Sequence, residues 1–176
     1  MEAQISAKAC LPPIVDEGTR LLILGSLPGD VSLAAARYYA HRNNQFWRLL
    51  GQALGEPLGA LDYDARLARL AARGVGLWDT VATAVRPGSL DGAMREIAAN
   101  PLRELIASLL RLRCIAFNGG TAARIGRRAL GATSLHLIDL PSSSPAFTRP
   151  LADKAAAWAR LADCVQGGQI KRNDER

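Results

Sequence analysis

The 176-residue chain is short of the residues that build metal sites and disulfide frameworks. Its three cysteines, Cys10, Cys114 and Cys164, lie far apart with no CxxC pair. Such an odd, scattered set argues against a disulfide scaffold and against a zinc site, and reads as core or incidental thiols. Only two histidines occur, His41 and His136, so histidine-rich metal constellations are out of reach and no metal is expected. No run approaches the ~20 uninterrupted apolar residues of a membrane helix. The opening, MEAQISAKACLPP, lacks the charged-then-apolar layout of a secretion signal. The expectation is a cytoplasmic protein with no membrane partner.

The common cofactor fingerprints are missing too. GSLPGD, after the first apolar run, has no lysine in P-loop register, and no GxGxxG follows that run. A Ser-His-Asp triad would need His41 or His136, and no GxSxG elbow accompanies either.

What is present is the composition of a globular protein, 49% apolar and 22% charged. The length suits a single domain, assigned to residues 1–166, with the polar stretch 167–176 read as a flexible tail. The net charge of +6, carried mostly by arginine, is consistent with a polyanionic partner. Charge alone is a weak pointer, since many basic proteins bind no nucleic acid.

Short apolar runs at 20–25 (RLLILG), 74–79 (GVGLWD), 114–118 (CIAFN) and 134–141 (SLHLIDLP) read as buried strands. Segments 43–54, 62–72, 101–112, 121–130 and 153–165 carry apolar residues at helical spacing, with Asn or Pro at some of their starts. Alternating strands and helices imply a parallel sheet flanked by helices. In such sheets the functional loops leave the carboxyl ends of the strands. Those loops are 25–32, 78–90, 118–121 and 140–149, all rich in Gly, Pro, Ser or Thr.

The motifs in them, GSLPGDVSLAAARYYAHRNNQFW, LWDTVATAVRPGSLDGAM, FNGGTA and LPSSSPAF, stand in that order, and the resemblance they carry runs over residues 20–162. Together they resemble the hypoxanthine-DNA glycosylase branch of the uracil-DNA glycosylase superfamily. The resemblance implies an α/β fold, a three-layer α/β/α sandwich with a central four-stranded, mostly parallel sheet. It implies an enzyme that flips a deaminated base out of DNA and hydrolyses its N-glycosidic bond without metal or cofactor, in base excision repair. The implied partner is DNA containing a damaged base, and a monomer is expected.

Residue roles follow from the same resemblance. Tyr39 matches the aromatic position that stacks on the flipped base, whereas its neighbour Tyr38 reads as core. Asn44 matches the catalytic asparagine, whose carbonyl would orient a water beneath the sugar carbon. It could instead cap the helix that follows, and Asn43 is the fallback if the register is off by one. Asp79 stands where relatives carry a base-reading asparagine; an ionised carboxylate would accept the N1–H of hypoxanthine, and the competing reading is a turn cap. Asn118 is a second candidate for the base edge.

In the first loop, Ser26 and Leu27 are assigned to the base, and Gly29 to a phosphate through its backbone N–H. His41 could steer a phosphate or the water, and Arg86 is assigned a phosphate contact. Ser142, Ser143 and Ser144 would clamp the strand, with Pro145 and Ala146 filling the space the base leaves. Two departures stand out. Leu27 occupies the place where many relatives carry a water-activating Asp or Asn, and Leu140 the place of a histidine that stabilises the departing base. Three rival readings remain: a uracil- or xanthine-specific glycosylase, a non-catalytic binder of DNA damage or abasic sites, and a nucleotide or phosphate-ester binding domain unrelated to DNA.

Overall fold

The computed structural model describes residues 6–166, so the tail expected at 167–176 lies outside the described residues. Four strands form one parallel sheet: β2 (Leu21–Gly25), β3 (Val75–Asp79), β6 (Cys114–Asn118) and β7 (His136–Leu140), in the order β3-β2-β6-β7. Strand β2 is buried along its whole length, because helices cover both faces of the sheet. The period of two is still visible within that run. Leu21 and Ile23 join one core cluster, while Leu22 and Leu24 join the other.

The first cluster is closed by α2 (Phe46–Leu54), α3 (Tyr63–Arg73), α6 (Leu151–Trp158) and α7 (Leu161–Val165), the second by α4 (Leu102–Ser108) and α5 (Gly120–Leu130). The fold is thus the three-layer α/β/α sandwich. Local chemistry sets its helix ends. Asp62 accepts from the Ala65 N–H at 2.8 Å to start α3, and Gly74 ends that helix in the left-handed region at φ 69°. Among the described residues no helix is long and apolar enough to cross a membrane.

Three expectations change. The loop 78–90 contains a strand, β4 (Val81–Val85), which pairs antiparallel with β1 (Ala7–Ala9) and β5 (Arg95–Ala99) in a second, three-stranded sheet. Every residue of β5 is exposed, so no buried face prints a pattern on it. The helix expected over 101–112 stops at Ser108, and Leu109 and Leu112 bury themselves from the turn that follows. The helix expected over 153–165 starts at Leu151 and breaks at residues 159–160 into α6 and α7. A further short helix, α1 (Asp30–Ala35), follows the first loop.

The chain crosses from β3 on one side of β2 to β6 on the other. The order of the sheet therefore reverses beside β2, and a crevice opens at the carboxyl ends of β2 and β6. Helix α5 packs closely here: a methyl group at Gly126 would stand 2.4 Å from Phe117 Cε1. Gly126→Ala is expected to destabilise the protein by about 1–3 kcal/mol through overpacking, measured by urea denaturation. Gly120→Ala, which meets nothing within 4 Å, is the control and should be close to neutral.

Candidate active site

The crevice holds a cavity of about 570 Å³, within the range that binds small ligands. Of the residues singled out from the sequence, Ser26, Leu27, Gly29, Tyr39, His41, Asn44, Asp79, Asn118, Ser142, Ser143, Ser144 and Pro145 line it. Arg86 does not.

Gly25 and Asp79 are paired across β2 and β3, and the close approach leaves no room for a side chain on the first. A Cβ on Gly25 would lie 2.7 Å from Asp79 Oδ1 and 3.1 Å from the Tyr39 hydroxyl. These two polar groups thus converge above a bare backbone. Tyr39 adopts φ 53°, a left-handed conformation that costs a non-glycine residue roughly 1–3 kcal/mol and concentrates at functional sites. Its ring stacks on Phe46 with centroids 3.7 Å apart and planes 8° from parallel. Asp79 is 3% exposed, and its Oδ2 and the Tyr39 hydroxyl are buried without a hydrogen-bond partner.

The ionised Asp79 expected from the sequence is corrected here. Burial, reinforced by the charge of Asp91, raises its carboxyl well above the ordinary value, and Arg86 offsets this only in part. Asp79 is thereby held towards its neutral form, which can donate as well as accept. Burial and the nearby Asp79 push the Tyr39 phenol up as well.

A chain of hydrogen bonds runs across the other wall. Asn118 Oδ1 accepts from the Ser143 backbone N–H, and Asn118 Nδ2 donates to Ser143 Oγ, both at 2.9 Å. Ser143 Oγ donates to Asn44 Oδ1 at 2.8 Å, and the same oxygen accepts from the Phe46 N–H at 2.9 Å. Asn44, one residue before the N-cap Gln45, therefore meets the first N–H of α2, and the carbonyl expected to orient water has both lone pairs engaged; its amide NH₂ remains. Ser143 is fully buried, so its expected role as a phosphate clamp is corrected to a tie between loops. Ser142 and Ser144 differ. Their hydroxyls accept from the backbone N–H groups of Ser144 and Ala146, leaving each hydroxyl proton free to donate. His41 is exposed and accepts from the Asn43 N–H through Nδ1.

Arg86 is the clearest correction. Its side chain is fully buried and donates to the carbonyls of Leu27, Pro28 and Gly88, bracing the first loop from inside rather than reaching for a phosphate. The side chain of Leu27 packs with Val81, Ala84, Met94 and Ile125, so its contribution to the cavity is apolar. Ser26 Oγ donates to Asp91 Oδ1 at 2.7 Å.

Three residues in or behind the walls escaped the sequence reading. Asp91 lies 65 positions from its partner Ser26, a pairing no local pattern announces. Phe147 is 42% exposed, and with Val31 and Leu90 it gives the cavity an apolar rim. Lys154, on α6, is buried and donates to Gln45 Oε1 at 3.0 Å and to the Ser144 carbonyl at 3.5 Å. The one cue for it was the placement of a lysine on the apolar face of a helix. Among the described residues, no group of three or more His, Cys, Asp or Glu side chains is placed to hold a metal ion.

Comparison with known proteins points the same way. The model of the uracil DNA glycosylase superfamily matches residues 12–162. A hypoxanthine DNA glycosylase of Methanosarcina barkeri is 38% identical over 154 residues, covering 86% of this chain and 96% of the relative. A protein of the same description from Methanosarcina acetivorans is 36% identical over 151 residues, 86% of this chain and 95% of the relative. The solution NMR structure of a Methanosarcina acetivorans protein, given the provisional description of uracil DNA glycosylase, superposes with a TM-score of 0.80 at 34% identity. That match covers 91% of this chain and 99% of the other.

The environment of Asp79 makes a testable demand on stability. Above the ordinary value of 3.8 the unfolded chain has released the proton that folded Asp79 retains. The folded state then binds more protons than the unfolded one, so stability falls as pH rises from there towards the folded value. Asp79→Asn removes this linkage. Its stability relative to wild type should increase as the pH rises from about 4, with a slope of at most about 1.4 kcal/mol per pH unit. Urea denaturation at a series of pH values reads the difference, and a pH-independent difference would contradict the assignment.

Proposed function

The chain belongs to the uracil DNA glycosylase superfamily, and we propose that it is a DNA glycosylase that flips deoxyinosine out of DNA and hydrolyses the bond to hypoxanthine. The observation that carries this reading is the pair of buried, unpartnered polar atoms, Asp79 Oδ2 and the Tyr39 hydroxyl, on two residues that line the cavity. Buried polar atoms without partners are costly, and a ligand that satisfies them recovers that cost. Hypoxanthine presents an N1–H donor beside an O6 acceptor. A neutral carboxyl on Asp79 offers the matching acceptor and donor, and the ring of Tyr39 supplies a stacking surface. Relatives that carry the name hypoxanthine DNA glycosylase support the choice of base.

The remaining parts suit a flipped nucleotide. Ser142 and Ser144 offer hydroxyl donors to the strand, with Gly29 and His41 on the opposite lip and the buried ammonium of Lys154 behind the serine loop. The exposed ring of Phe147, next to Pro145 and Ala146, is the apolar group sized to fill the gap in the base stack.

The second reading, a binder of damaged DNA that does not cleave, draws on the engagement of Asn44 Oδ1 by two donors.

Single-turnover assays with excess protein and labelled duplexes bearing one deoxyinosine, uracil or xanthine test both. Abasic product is expected from deoxyinosine, with Asn44→Ala slower by a factor on the order of 10². Product from uracil alone would overturn the choice of base, and tight binding without product from any duplex would favour the binder. Phe147→Ala should weaken binding to an abasic duplex by about 1–3 kcal/mol with little change in folding stability.

A further inference from the structure

Hydrolysis needs a group that accepts a hydrogen bond from the attacking water, and most acceptors in the cavity wall are engaged or suppressed. Asn44 Oδ1 takes two donors, and Asn118 Oδ1 takes the Ser143 N–H. Asp79 is almost wholly buried and held towards its neutral form.

Asp91 is different. It lines the cavity with a side chain 38% exposed, opening a short helical turn at residues 91–93. Its Oδ1 accepts from Ser26 Oγ at 2.7 Å and stands 3.8 Å from Arg86 Nη1. The guanidinium of Arg86 is fully buried, and Asp91 is its one carboxylate partner within 4 Å among the described residues. An arginine keeps its proton in a protein, so a buried one calls for an anion beside it. Burial raises the Asp91 carboxyl, but the Ser26 hydroxyl and the Arg86 guanidinium both favour its ionised form, and its second oxygen is left over.

We propose that Asp91 is a catalytic residue: its carboxylate holds and polarises the water that attacks C1′ of the flipped nucleotide. This rests on the deoxyinosine reading above and adds the water-holding group to it. As the water oxygen bonds to C1′, the C1′–N9 bond breaks and its electron pair leaves with the base. The water's proton passes to Asp91 and on to solvent, and the base takes up one proton from solvent. A carboxylate beneath C1′ also opposes the positive charge that develops on the sugar as the bond breaks.

The competing role is structural, with Asp91 serving only as the counter-ion that keeps Arg86 under the first loop. Two variants separate the roles. Asp91→Asn keeps an oxygen for the Ser26 hydroxyl and removes the charge, while Asp91→Gly opens a space that formate can enter. Each is assayed for single-turnover cleavage of a deoxyinosine duplex and for binding to a duplex with an uncleavable abasic analogue.

Asp91→Asn is expected to cleave roughly 100-fold more slowly while binding the analogue as wild type does. Added formate should restore part of the rate of Asp91→Gly and none of the rate of Asn44→Ala. Cleavage by Asp91→Asn at the wild-type rate overturns the inference and leaves the proposed function standing. Loss of cleavage together with analogue binding, with no response to formate, also overturns it in favour of the structural role. If wild type itself releases no hypoxanthine, the proposed function fails and takes this inference with it.

Discussion

The site depends on one buried hydroxyl. Ser143 joins the loop after β7 to the end of β6 through Asn118, and to the start of α2 through Asn44, while its carbonyl accepts from the Gln45 N–H. Ser143 is fully buried, and each of the three side chains satisfies another's polar atoms. The loops that leave separate strands are thereby held as one wall, so the serine donors and the Asn44 amide keep fixed places around the cavity. Removing that hydroxyl would strand acceptors and donors on two elements at once. The network therefore sets the geometry of the site before any ligand arrives.

The opposite wall is organised by charge. Arg86 lies under the first loop and holds three backbone carbonyls, which leaves the loop little freedom to adapt its shape. A buried guanidinium is tolerable because Asp91 stands beside it and the carbonyl dipoles point at it. The brace and the cavity carboxylate are consequently one arrangement, and the Ser26 hydroxyl completes it. The side chain of Leu27 packs into a small apolar cluster with Val81, Ala84, Met94 and Ile125.

Much of this was legible in the sequence and some was not, for identifiable reasons. Strands β2, β3 and β6 showed as apolar runs because helices cover both of their faces. Strand β5 left no trace because all five of its residues are exposed, and β4 was hidden by the Pro and Gly that follow it. The motif residues of the four loops do gather in one cavity. Their individual duties were harder to read, since the partner of a polar side chain is decided only when the loops close. Asn118 and Ser143 bind each other from 25 positions apart, and Ser26 binds Asp91 from 65. Arg86 was assigned to a phosphate because arginine is rarely fully buried, and nothing local to VRPG says otherwise.

Two carboxyl groups share the cavity, and their surroundings divide the labour between them. Each raises the cost of ionising the other if both are charged, so one must give way. Asp91 has the Ser26 hydroxyl and the Arg86 guanidinium at hand, and both pull against the effect of burial. Asp79 is more deeply buried, has an oxygen with no partner at all, and feels Arg86 only at longer range. Burial raises both carboxyls, Asp79 the more strongly, so the proton is favoured on Asp79, where a donor is useful against a base carbonyl, and the charge on Asp91, where an acceptor is useful against water. A cavity with this division needs no histidine to present an acid and a base side by side. In physical terms, that is how a cavity whose walls include the buried, apolar Leu27 can still contain the means to hydrolyse a glycosidic bond.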